Sequence, residues 1–191
     1  NFTGQEIGIL QSLREVPGFL SFLVVYLLLV VAEQKLALMS LVILGVGVAI
    51  TGYFPTVIGL YITTVISSIG FHYYEACNQS LTLQWLDKKK APEIMGRIYG
   101  VGAFTQLLTL GLILLVYLEG VGSFSWEALA RSDKLVNDIS SYQTLYIGAG
   151  LSTVLLAVAA LMIFPHFSEK IVQRRQIVLR KRYWLYYALT F

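Results

Sequence analysis

Charge is what this chain has least of. Only 13% of its 191 residues are Asp, Glu, Lys or Arg, against roughly 25% in an ordinary soluble domain. Cysteine is scarcer still: Cys77 stands alone, which excludes an internal disulfide and a multi-cysteine metal site. The two histidines, His72 and His166, fall on different segments, so no zinc site is expected. No cluster of His, Asp and Glu suited to metal or acid–base catalysis recurs along the chain, so neither an enzyme nor a cofactor is implied. A basic, apolar signal peptide is missing from the opening Asn1-Phe2-Thr3. Gly96-x-x-x-Gly100 follows no strand and is therefore a helix-contact motif, not a nucleotide loop.

Apolar residues fill the space, at 57% of the chain. They come in runs of membrane length, and those runs set the class: an all-α, polytopic transmembrane helix bundle. Five full spans are expected at about 4–31, 36–54, 56–77, 95–118 and 142–164. The first opens on a capping box, Thr3 with Glu6 three residues later. It contains Pro17, which removes the bond to the Leu13 carbonyl and predicts a kink. The turn Ala32–Lys35 separates it from the uncharged second span, and Pro55 precedes the third. A connector at 78–94, a polar loop at 119–141 and a basic loop at 166–182 follow in turn. Residues 183–191 read as the start of a sixth span, so the chain is expected to be part of a longer protein.

Orientation follows from Lys and Arg. One set of alternating loops holds Lys35, then Lys88, Lys89, Lys90 and Arg97, then Lys170, Arg174, Arg175, Arg180, Lys181 and Arg182; the other holds Arg131 and Lys134. The positive-inside rule makes the first set cytoplasmic, loops 32–35, 78–94 and 166–182. The chain then starts outside, which implies a further helix upstream. Because the basic stretches adjoin apolar segments, their partner is the lipid bilayer of a plasma (inner) membrane rather than nucleic acid.

The adjacent charges Arg14 and Glu15 are the sharpest candidates for chemistry. They lie about 15 Å along a helix begun at Gly4, inside a hydrocarbon core where each costs roughly 2.5–3.5 kcal/mol at the centre. Such residues turn toward a polar cavity or a partner. Neighbours on a helix project about 100° apart, so the two need not pair with each other. Arg14 can hold an anionic group with its planar fork, and Glu15 is a candidate proton carrier; both also fit a structural ion-pair network. His72 and Glu75 share a face at the spacing that proton relays use, and that interfacial anchors use as well. Gln106, Gln11 and Asn78 can donate to a solute or to neighbouring helices. Tyr61, Tyr99, Tyr117 and Tyr146 can line a cavity or pack.

Three features together resemble the major facilitator superfamily of secondary transporters. These are the short turn Ala32-Glu33-Gln34-Lys35, the stretch Met95-Gly96-Arg97-Ile98-Tyr99-Gly100-Val101-Gly102, and the basic stretch before Tyr183. The resemblance covers the layout of the whole chain, as helices two to six of that family's amino-terminal half plus the first residues of helix seven. The glycine-proline motif of the family's antiporters is absent, since no proline lies between Gly102 and Leu118. The resemblance implies movement of a small solute, with or without a coupling ion, by alternating access. The remaining helices of the parent protein would complete the machine. The other reading is a non-transporting polytopic subunit, an assembly factor or sensor.

Overall fold

The computed structural model of the chain describes residues 3–87, 89–119, 139–163 and 181–184, and these contain helices and turns but no strand. Helix α1 is Gly4–Phe19, a 3-10 turn covers Leu20–Leu23, and a single helical turn, α2, covers Val24–Leu27. Then come α3 (Glu33–Thr51), α4 (Val57–Trp85), α5 (Ala91–Glu119) and α6 (Ile139–Ile163). Among the described residues, Gly4–Leu27, Glu33–Thr51, Val57–Trp85 and Tyr142–Ile163 are each long and apolar enough to cross a membrane. Helix α5 carries no charge between Val101 and Leu118. The helices fall on the five expected spans, with shifted ends. Among the described residues there are five rather than six: of the expected sixth span, begun at Tyr183, only the turn Lys181–Tyr183 and Trp184 are described. The polar loop at 120–138, most of the basic loop at 166–182 and the remainder of 183–191 lie outside the described residues.

Local chemistry explains the shifts. The capping box at the start of α1 forms as expected: Thr3 Oγ1 accepts from the Glu6 amide at 3.3 Å, and Glu6 Oε2 accepts from the Thr3 amide at 2.7 Å. Pro17 supplies no amide, and three residues beyond it the helix tightens into the 3-10 turn, with the Leu20 amide reaching both the Gly18 and Val16 carbonyls. The first span therefore does not run unbroken to Val31; it ends in tight turns from Leu28, where Leu29 and Val30 donate to Tyr26 and Leu27. The turn expected at 32–35 falls earlier as well. Ala32 has extended backbone, and Glu33 opens α3, where its carboxylate meets the positive end of the helix dipole. No Gly or Pro interrupts Phe71–Trp85, so α4 continues through the expected connector. It stops at Leu86, whose ψ of 142° is extended. Helix α5 starts at Ala91, with Pro92 in a first turn where its missing amide forfeits no bond. The connector is thus 86–90, not 78–94.

Helix α3 is the centre of the bundle, packed on one side against α4 and on the other against α6, while α1 packs on α4. The spatial order is α1, α4, α3, α6, and α5 touches the others only sparsely among the described residues. Small residues make the close approaches. A Cβ added at Gly45 of α3 would lie 2.7 Å from the Gly150 carbonyl oxygen and from Val154 Cγ2 of α6. On the other side, a Cβ at Gly47 would lie 2.7 Å from Ser67 Oγ of α4, and one at Gly70 of α4 would strike the α3 backbone at Ser40 and Leu44. Thr63, Cys77 and Ser40 are the largest fully buried side chains, whereas Ile58, Leu155 and Leu156 face outward. Small residues inside and large apolar ones outside are the pattern of helices that associate in lipid through close packing. At the end opposite the start of α1, Val24, Leu36, Ala37 and Cys77 form a further cluster that ties α2 to α3 and α4.

Two glycines of α6 provide the check. Gly150→Leu is expected to lower thermal stability of the detergent-solubilised protein by about 1–3 kcal/mol, the usual cost of overpacking. Gly148→Ala should leave it unchanged or slightly higher, because nothing lies within 4 Å of an added Cβ there. Equal melting of the two variants would contradict the seam.

Candidate functional site

Between α1 and the helices α4, α3 and α6 lies a cavity of about 650 Å³, a size suited to a small-molecule ligand. Its walls carry Arg14 and Glu15 from α1, Thr51 from α3, Thr64, Ser67, Ser68 and His72 from α4, and Tyr146 from α6, over an apolar lining that includes Leu44, Val48 and Phe71. Arg14 lies about 15 Å along the axis from the start of α1, near the middle of a membrane-length segment. Three of the five leading candidates from the sequence, Arg14, Glu15 and His72, are therefore brought together, and Tyr146, offered as a cavity-lining residue, joins them.

The α4 face explains the meeting. Leu60, Thr64, Ser68 and His72 recur every four residues, and residues so spaced share one side of a helix. That side meets α1 at backbone level. The Ser68 hydroxyl donates to the Arg14 carbonyl, and the Tyr61 hydroxyl donates to the Glu6 carbonyl at 3.2 Å. The His72 ring lies over Gly18, where an added Cβ would come within 2.8 Å of His72 Cε1. Gly18 directly follows Pro17, so the histidine is seated against α1 just before that helix tightens into its 3-10 turn.

Arg14 and Glu15 pair with each other, contrary to the geometry of a bare helical wheel. Arg14 Nε and Nη2 both donate to Glu15 Oε1, at 3.1 Å and 2.9 Å. The long guanidinium stem bends across the 100° between neighbours. Both side chains stay more than half exposed, 57% and 61%, so the pair opens to the cavity instead of being sealed in protein. Some cavity hydroxyls are already engaged: Ser67 donates to the Thr63 carbonyl at 2.8 Å and Thr51 to the Gly47 carbonyl at 2.8 Å. By contrast, the Thr64 and Tyr146 hydroxyls and the His72 ring nitrogens have no hydrogen-bond partner among the described residues.

The other two sequence candidates stand apart. Glu75 lies beyond His72 along α4, outside the cavity lining, and accepts from Gln79 Nε2 at 3.2 Å. Glu75 and His72 share no hydrogen bond among the described residues. Gln106 is exposed on α5 and does not line the cavity, because α5 is not packed onto that side. Gln11 and Asn78 are also exposed. Tyr61 bonds to α1, Tyr99 faces outward, and the Tyr117 side chain and His166 lie outside the described residues.

A buried carboxylate escaped the sequence reading. Glu33 is 8% exposed at the start of α3, and its Oε2 accepts from Gln84 Nε2 of α4 at 2.8 Å. Gln84 also reaches Ser80 Oγ, at 3.2 Å. The sequence placed Glu33 only in the short turn Ala32–Lys35, with no sign of its burial; the continuation of α4 past Cys77 is what brings Gln84 to it. Glu33→Ala should cost about 1–3 kcal/mol in thermal unfolding, because it removes the charge-assisted hydrogen bond that joins α3 to the half-buried Gln84 amide of α4. Glu33→Gln should cost less, and equal costs would assign the effect to volume alone. Comparison of the chain with family models, with curated proteins and with solved structures finds no match.

Proposed function

We propose that this chain is part of a secondary active transporter that moves a small solute across a plasma (inner) membrane by alternating access. The observation that carries the reading is the cavity itself: near mid-span, beside an interrupted apolar helix, it presents a charged pair together with hydroxyl and imidazole groups that the protein leaves unengaged. Placing charges at membrane depth is costly, and chains that do so aim them at polar pathways or partners. Transporters characteristically put such sites at discontinuous helices near the bilayer midplane. Here the α-helix is interrupted by the 3-10 turn Leu20–Leu23, which begins within two turns of Arg14.

The layout resembling one half of a major facilitator transporter supports the same reading. In that arrangement the start of α1 faces outside. The turn before α3, the 86–90 connector and the basic stretch after α6 face the cytoplasm, where their Lys and Arg residues satisfy the positive-inside rule. The chain would supply most of one bundle, rocking against a second bundle around the cavity. α5, whose Val101, Phe104, Leu107 and Leu110 are left open, would meet lipid or the remaining helices of the parent protein.

The test is uptake by the full-length protein in proteoliposomes, screened over labelled small metabolites. Arg14→Ala and Glu15→Ala should each lower the initial rate about tenfold or more at equal protein levels, since a hydrogen bond to a charged group is worth about 1.5–3 kcal/mol. Undiminished uptake in both variants would remove the site. No uptake of any solute by the wild-type protein would favour the non-transporting subunit.

A further inference from the structure

The Arg14–Glu15 pair occupies only part of what each group offers. Glu15 Oε1 receives both of its hydrogen bonds from the Nε and Nη2 side of the guanidinium. Among the described residues nothing meets Arg14 Nη1, and nothing donates to Glu15 Oε2. The guanidinium therefore keeps one edge, Nη1 with the second hydrogen of Nη2, without a partner among the described residues, on a residue that lines the same cavity as Thr64 and His72. A guanidinium edge matches the two oxygens of a carboxylate or phosphoryl group, and no neutral donor or acceptor uses it as well.

Charge balance then limits what can enter. The formal charges on the cavity wall are Arg14 and Glu15, which cancel. The other titratable groups facing the pair are His72 from α4 and Tyr146 from α6, while α3 contributes only uncharged Leu44, Val48 and Thr51. A bound monoanion leaves this site with one net negative charge at membrane depth, where charge is poorly tolerated. One proton restores neutrality. Glu15 is the group placed to take it, because the incoming anion competes for the same guanidinium that holds its carboxylate, and Oε2 is free to accept.

We propose that the open edge of Arg14 is the docking point for a monoanionic solute, a small monocarboxylate or phosphate diester. The solute enters with one proton carried by Glu15. The proton comes from the compartment that delivers the anion, sits on the Glu15 carboxylate while the anion is bound, and leaves with it. No bond other than this O–H is made or broken. The inference deepens the transporter reading, and its binding arm can be judged without it.

The experiment screens the full-length protein against paired small molecules: monocarboxylates and phosphate diesters, each beside its uncharged amide or alcohol. Thermal shift reads binding, and proteoliposomes with an internal pH dye read uptake. Stabilising compounds should be confined to the anions. Their affinity should rise as pH falls, be lost at least tenfold in Arg14→Gln, and be weakened less in Arg14→Lys, which keeps the charge without the fork. In Glu15→Gln the anion should still bind, with the pH dependence gone. Uptake in the wild-type protein should acidify the lumen by one proton per monoanion and ignore the membrane potential. The proposal is overturned by a screen without anion hits, by hits among neutral compounds only, or by undiminished anion binding in Arg14→Gln when that variant melts like wild type. pH dependence that survives Glu15→Gln but vanishes in His72→Asn would overturn the assignment of the proton. Anion binding without uptake would sink the transporter reading and keep the anion site; uptake of an uncharged solute would do the reverse.

Discussion

Everything in this bundle depends on how closely the backbone of α3 can approach its two neighbours. In lipid no water drives apolar helices together, so association rests on close packing and on the few polar contacts available. Gly45 and Gly150 bring α3 onto α6, and Gly47 and Gly70 bring it onto α4. Side chains larger than a hydrogen have no room at these points. The result is a tight sheet of three helices whose inner residues are small and whose outer faces carry Ile and Leu. Helix α1 is attached differently. It reaches the bundle through α4, by hydroxyl groups bonded to its carbonyls and by a histidine ring laid on a glycine. The cavity lies where this looser helix meets the tight core.

The same contacts explain why the charged pair is placed where it is. Pro17 and Gly18 weaken α1 one turn beyond Arg14, and Ser68 bonds the Arg14 carbonyl. With its backbone pinned at that residue, α1 presents the Arg14 and Glu15 side chains to the cavity. An ion pair sealed in protein contributes little or nothing after desolvation. One that borders an open cavity keeps its groups available. The structural and the chemical reading of Arg14 and Glu15 thus meet: the two residues do bind each other, and the geometry of their bond leaves donors and acceptors for a third party.

Much of this was legible in sequence, and unevenly so. The five helices followed from apolar, charge-poor runs of membrane length, because few other structures accommodate them. Arg14 and Glu15 stood out by their cost in an apolar setting. Helix ends were harder to read. The polar look of Asn78-Gln79-Ser80 suggested a connector, yet nothing there breaks a helix, and α4 runs on to Trp85. That misjudged end hid Glu33, whose partner Gln84 exists only on the continued helix. Hydroxyl residues were overlooked for a related reason: Thr64, Ser67 and Ser68 are neutral and cheap to carry in a membrane helix, and only the four-residue spacing of Thr64, Ser68 and His72 marks the shared face. Gln106 looked suitable by residue type, but type alone carries no information about which way α5 turns.

The central claim is that a polar, water-accessible cavity lies beside α4 at membrane depth. It is tested most directly by comparing two neighbouring sites on that helix, Thr64 on the cavity wall and Ile62, which is 56% exposed on the outer surface. They lie about 3 Å apart along the axis, so depth is held constant. Single cysteines at each position, in full-length protein with Cys77 replaced by alanine, can be treated in membranes with a charged maleimide, which reacts only with a hydrated thiol. The account predicts rapid labelling at position 64 and little at 62, since the second site faces lipid. Equal labelling at both positions, or none at 64, would contradict it.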